Sequence, residues 1–174
     1  MTKPKVLIID DDVAITQQLF WTLCDEFEVM TANGLASAIR RATIYEPDVA
    51  ILDLHLPPTL DAPDTGLRIL DYVKSHLPAS KVFVASSDPS GEMRRECIRR
   101  GADGFFDKPL DVERLLATVR RTAVARRLAA AWTAAAGVLT PRIHPGRRPA
   151  AAAVGNQGAS SVRPASRALM LFDL

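Results

Sequence analysis

Apolar and polar positions alternate between two regular spacings along the first 125 residues. Lys5-Val6-Leu7-Ile8-Ile9 is a continuous β-branched run closed by Asp10-Asp11-Asp12, which predicts a short strand buried on both faces. Ile15, Leu19, Phe20 and Leu23 then recur at helical spacing, and Phe27-Glu28-Val29-Met30 reads as a second strand. Asn33 opens a helix with Leu35, Ala38, Ile39 and Ala42 on its inner face; Pro47 ends it, and Asp48 to Leu52 forms a third strand. The next helix places Ile69, Leu70, Val73 and Leu77 inward before a fourth strand, Lys81 to Ala85. Met93, Cys97 and Ile98 line a fourth helix. Gly101 to Gly104 turns into the brief strand Phe105-Phe106, and Val112, Leu115, Leu116, Val119 and Ala123 stripe a fifth helix.

Short buried strands alternating with amphipathic helices imply parallel βαβ units with right-handed crossovers, so the fold class is α/β, a doubly wound sheet. Ligands in such sheets bind beyond the carboxyl ends of the strands, where the strand order reverses. Four predicted strands end in reactive side chains: Asp10-Asp11, Asp53, Ser86-Ser87 and Asp107-Lys108-Pro109. Taken singly, each has a plain explanation. Asp53 could cap a loop, Asp12 a helix, Lys108 could be a solvated loop cation and Ser86 a turn residue. Their convergence on one edge favours a site. Three neighbouring carboxylates repel one another unless a cation sits among them, and oxygen ligands suit a hard dication such as Mg²⁺, which commonly also holds a phosphate oxygen. Lys108 and the Ser86 hydroxyl would then steady an incoming phosphoryl group, with Asp53 as nucleophile.

Composition adds a boundary. Through Ala125 there are 15 Lys+Arg against 19 Asp+Glu, a net −4; from Arg126 onward 7 Arg face one acid, a net +6. We therefore read residues 1–125 as one domain and 126–174 as an Ala/Arg/Pro-rich extension, helical at first and disordered after Thr140-Pro141. Cys24 and Cys97 form no CxxC pair and read as reduced thiols. The N-terminus lacks a signal-peptide h-region, and the run Leu128 to Leu139 is shorter than the roughly 20 residues that span a bilayer, so the expected location is the cytoplasm without membrane contact. Trp21 faces away from the first helix's apolar stripe.

The segments "VLIIDDD", "AILDLHLP", "VFVASS" and "GADGFFDKPL" together resemble the receiver domain of bacterial two-component response regulators, the CheY-like family, over roughly residues 4 to 123. The resemblance implies a flavodoxin-like five-stranded parallel sheet of order 2-1-3-4-5 with five helices. It makes Asp53 the acceptor of a phosphoryl group from a sensor histidine kinase, a phosphotransfer protein or a small donor such as acetyl phosphate. Asp11 and Asp53 would hold Mg²⁺ directly, Asp10 would act mainly through water, and the His55 carbonyl would complete the set. Lys108 would bridge to Asp53, the Lys108-Pro109 bond would be cis, and Ser86 and Phe105 would be the switch pair. The readout would fall on helix four, strand five and helix five, through a downstream protein partner or a homodimer. Such a protein catalyses only its own phosphorylation and dephosphorylation. Two features depart from the family: the loop from Pro57 to Gly66 is long, and His55 and Asp88 stand where the family tunes phosphoryl loss.

Two other classes compete. A Mg²⁺-dependent aspartyl-phosphate phosphatase is disfavoured because Asp53-Leu54-His55 lacks a second acid to protonate a leaving group. A regulator holding DNA through the seven arginines of the extension is the other; without interleaved aromatics the run reads first as a solvated linker, so nucleic acid is not the expected partner. The end, Ala168 to Leu174, reads as a small docking motif.

Overall fold

The computed structural model describes residues 2–57, 64–87 and 91–137. In chain order the elements are β1 (Lys5–Ile9), α1 (Val13–Leu23), β2 (Glu28–Ala32), α2 (Leu35–Tyr45), β3 (Val49–Asp53), α3 (Asp64–His76), β4 (Lys81–Ser86), α4 (Gly91–Arg99), β5 (Gly104–Asp107) and α5 (Val112–Gly137). All strand pairs are parallel and the order is β2-β1-β3-β4-β5. This is the flavodoxin-like arrangement expected from the sequence, and its order reverses between β1 and β3.

The strands are apolar throughout because both sheet faces are covered. Along β1, Leu7 and Ile9 join one cluster with Ala38, Ile69, Leu70 and Cys97 from α2, α3 and α4. Val6 and Ile8 point the other way, against Leu19 and Leu23 of α1 and Leu115 and Val119 of α5. The period of two along a strand sends alternate side chains to opposite layers. α1 begins at a cap that needs only Asp12, whose Oδ1 accepts from the N–H groups of Ala14 (2.8 Å) and Ile15 (3.3 Å).

Local differences from the periodic reading have packing causes. β2 starts one residue later than expected, since Phe27 is buried beneath α1 rather than in the sheet. β3 runs one residue further, taking in Asp53, while Asp48 stays outside and accepts the Lys5 N–H at 2.8 Å. α2 starts at Leu35, and the Asn33 side chain instead accepts from the Ser37 hydroxyl at 3.2 Å. Ile98 does not line α4's inner face; it is 50% exposed. Met93 and Cys97, one helical turn apart, take that face, and Ile98 lies a further 100° round.

α5 continues unbroken through Gly137. Arg126 pairs with Asp48 (3.2 Å) and donates to the Ala79 carbonyl, and Arg127 donates to the Thr2 carbonyl, so the domain grips the helix that far. From Leu128 to Ala135 every residue is exposed. The expected disordered tail and docking motif lie outside the described residues. Among the described residues no helix is long and apolar enough to cross a membrane.

Candidate functional site

Parallel pairing puts the carboxyl ends of β1, β3, β4 and β5 on one edge. The registers Ile9↔Leu52, Asp53↔Ala85 and Ser86↔Asp107 then set Asp10 near Asp53, and Ser86 near the loop carrying Lys108. Carboxylate oxygens of Asp10, Asp11 and Asp53 lie within 4.8 Å of one another. Asp10 and Asp53 are each only 5% exposed; Asp11 is the open member. Lys108 reaches into the group, its Nζ 2.8 Å from Asp10 Oδ2 and 3.3 Å from Asp53 Oδ2. Its backbone N–H donates to the Ser86 carbonyl at 2.8 Å, which ties the loop to β4, and the Lys108-Pro109 bond is cis.

The charges do not balance. Burial depresses the Lys108 ammonium, but hydrogen bonds and attraction from Asp10 and Asp53 outweigh it and raise its pKa above the ordinary value. Asp53 is also raised: burial and the Asp10 charge together exceed the help it gets from Lys108 and from the His55 N–H it accepts. Asp10 holds the shorter arm of the lysine and Asp53 the longer. Asp10 is further engaged through Oδ1, which accepts the Asp12 N–H at 2.9 Å. One lysine among three carboxylates leaves two negative charges uncompensated, and the all-oxygen donor set fits a hard divalent cation.

Beside these acids a cleft of about 320 Å³ opens between α1 and α2, lined by Asp10, Asp11, Thr16, Gln17, Asn33 and Arg41. A larger cleft of about 620 Å³ runs along β5 and α5, away from the acids. Ser86 is fully buried at the end of β4. Phe105 is 8% exposed in the core layer under α4, with the Arg94 guanidinium 5.0 Å above its ring; Arg94 also grips both Asp107 oxygens, at 2.7 and 2.9 Å. His55 follows the strand end, and its imidazole Nδ1 is buried without a hydrogen-bond partner among the described residues. Asp88 and residues 58–63 of the long loop lie outside the described residues.

Two structural residues escaped the sequence reading, Gly66 at this edge and Asp103 at the opposite, amino-terminal edge of the sheet. Gly66, in the first turn of α3, packs so close to β3's end that a Cβ would stand 2.4 Å from Leu54 Cα and 2.8 Å from the Asp53 carbonyl oxygen. The signal was a glycine inside a helical pattern where no turn requires one. Asp103 accepts from Lys74 (2.8 Å), Lys81 (2.9 Å) and the Val82 N–H (2.9 Å), joining α3, β4 and the start of β5. Burial opposes its charge, but the two lysines overcome this and lower its pKa. A lone acid in a Gly-Ala-Asp-Gly turn carries no mark of that role.

An open sheet of this order, with an acid triad and a lysine over the central strands, defines a CheY-like α/β signalling domain. Residues 6–120 match the profile of the response regulator receiver domain, and the chain belongs to that family. It is 34% identical over 127 residues to the transcriptional regulatory protein KdpE of Mycobacterium tuberculosis (strain CDC 1551 / Oshkosh), covering 72% of this chain and 53% of that protein. It is 35% identical over 154 residues to the transcriptional regulatory protein PrrA of Mycobacterium leprae, covering 85% and 63%. The chain thus spans between half and two thirds of the length of these relatives. Among solved structures, the receiver domain of NtrX from Brucella abortus superposes with a TM-score of 0.61 at 31% identity, covering 68% of this chain and 97% of that one. A CheY-like receiver domain from Methanospirillum hungatei gives 0.67 at 22% identity, covering 74% and 99%, a likeness of fold. Receiver domains accept a phosphoryl group on an aspartate.

Proposed function

We propose that Asp53 is the phosphoacceptor of this chain, and that its phosphorylation switches partner binding in a phosphorelay. The observation that carries this reading is the uncompensated carboxylate group around Lys108. Asp53 is the member at the tip of the central strand, with the longer and weaker hold on the lysine.

In the transfer, an Asp53 carboxylate oxygen attacks the donor phosphorus, the donor's P–N or P–O bond breaks, and its electron pair leaves on histidine nitrogen or acetate. Lys108 is freed from Asp53 to meet the transferred oxygens while Asp10 keeps it in place. The Ser86 hydroxyl and the His55 N–H would donate to the new acyl phosphate. The donors present fit Mg²⁺: Asp11, Asp53 and the His55 carbonyl would hold it, and Asp10 would act mainly through water. When bound, Mg²⁺ supplies neutralisation of the phosphoryl charge. Ser86 and Phe105 form the switch pair, and the altered surface comprises α4, β5 and α5. The chain turns over no external substrate; it gains and loses its own phosphoryl group.

The implied partners are a sensor histidine kinase or phosphotransfer protein and a downstream protein, in the cytoplasm. The relatives' names as transcriptional regulatory proteins favour a second reading, in which the arginine-rich region beyond α5 holds DNA; the expectation against nucleic acid draws no support from those relatives. Duplex binding that weakens steeply with salt and is lost on truncation after Leu139 supports that reading; absent or salt-insensitive binding removes it. The main reading is tested by intact mass after incubation with Mg²⁺ and acetyl phosphate. One phosphoryl adduct is expected on the wild type and none on Asp53→Asn; equal labelling of both overturns the assignment.

A further inference from the structure

The acid triad accounts for only one end of the cleft of about 320 Å³ beside it. Asp10 and Asp11 form that end; at the other stands Arg41 of α2, the one cation in the lining among the described residues, with Gln17 and Asn33 on the same walls. Side chains on a helix lean toward its N-terminus, so an arginine in the second turn of α2 reaches back over the tip of β2 rather than along the helix flank. Arg94, Arg100 and Arg126 each hold a carboxylate. Arg41 is half-buried as well, yet it makes no hydrogen bond or ion pair among the described residues, and neither does the Gln17 amide. A partly desolvated guanidinium without an acceptor is costly, and its planar fork of donors matches a carboxylate.

Strand order gives this cleft its place in the transfer. The tips of β3, β1 and β2 follow one another along the edge, so a row runs from Asp53 through Asp10 and Asp11 to Thr31 and Ala32. Phosphoryl transfer keeps the attacking and leaving atoms roughly in line through phosphorus. With phosphorus beside Asp11, attack from Asp53 therefore sends the leaving group toward β2 and into the cleft. We infer that the cleft receives the leaving group of an acyl phosphate, and that Arg41 is the residue that favours this class of donor. The inference rests on Asp53 being the phosphoacceptor. In the step, an Asp53 oxygen bonds to phosphorus, the bond from phosphorus to the acyl oxygen breaks, and its electron pair leaves as a carboxylate; no proton moves. The Arg41 guanidinium takes that carboxylate through charge-assisted hydrogen bonds, which strengthen as charge grows on the departing oxygen. Phosphoramidate, whose leaving group is ammonia, offers Arg41 no carboxylate. The cleft stands at the small end of ligand sites, which suits a short acyl chain.

The test compares acetyl phosphate with phosphoramidate on the full chain in Mg²⁺, reading initial rates of phosphoryl labelling by intact mass. Arg41→Gln is expected to slow labelling by acetyl phosphate about ten-fold and to leave labelling by phosphoramidate within about two-fold of the wild type. Arg41→Lys, which keeps the charge without the fork, restores part of the loss. Thermal unfolding of Arg41→Gln matches the wild type, because the side chain holds nothing in its own domain. An equal loss with both donors, which a general electrostatic or structural role would give, overturns the inference, and so does no loss with either. A wild type labelled by neither donor overturns the phosphoacceptor reading itself, and this inference with it.

Discussion

Replacing Gly66 by alanine sets two effects of known sign against each other. Alanine in the first turn of α3 gains helix propensity, up to about 1 kcal/mol in a helix interior. The new Cβ, however, would stand 2.4 Å from Leu54 Cα, 2.7 Å from the Leu54 oxygen and 2.8 Å from the Asp53 oxygen. Those are backbone atoms of the central strand's end, and the Gly66 N–H itself donates to the Leu54 carbonyl at 3.2 Å, so neither partner turns aside. Overpacking typically costs about 1–3 kcal/mol, and a clash with backbone sits at the upper end, leaving a net loss of roughly 2 kcal/mol. Urea unfolding of Gly66→Ala measures it. Gly91→Ala is the control, since among the described residues its Cβ would meet only the Arg95 guanidinium at 3.7 Å. The same variant should slow phosphoryl uptake at Asp53, because relief of the clash displaces that residue. A Gly66→Ala protein as stable as the wild type refutes the close-packing argument.

Other outcomes follow from the charges. With Mg²⁺ chelated, Asp53→Asn should be more stable than the wild type at pH 7: burial raises the folded Asp53 pKa above its ordinary 3.8, so ionisation costs the fold stability as pH climbs through that value and beyond. The advantage should fade near pH 4 and shrink when Mg²⁺ is added; thermal unfolding across pH with and without the ion reads both. Asp103→Ala should lose roughly 1–3 kcal/mol at neutral pH, since it strands the Val82 N–H and two lysines. Its folded pKa is lowered, so that contribution is present above the ordinary 3.8 and disappears as pH falls through the folded value.

Much of this molecule was legible in the chain because two strong regularities coincide. β1, β3 and β4 are unbroken apolar runs, as both sheet faces are covered, and each ends in a residue that the parallel topology must carry to the same edge. Asp10, Asp53, Ser86 and Lys108 could therefore be grouped by counting strand ends. The sharing of Lys108 between Asp10 and Asp53 could not, because it depends on a loop conformation across 98 residues of chain. Gly66 left a trace, a glycine inside a helical pattern, without saying what it packs on; Asp103 was opaque because its partners Lys74, Lys81 and Val82 lie 21 to 29 residues away. Ile98 shows the limit of periodicity, as a short helix with adjacent apolar residues does not say which of them faces inward.

The most direct measurement locates the phosphoryl group. After incubation with acetyl phosphate and Mg²⁺, borohydride reduction converts an aspartyl phosphate to homoserine, and peptide mapping finds the altered position. The account predicts homoserine at residue 53 alone; homoserine at 10 or 11, or none while the protein still carries phosphate, contradicts it.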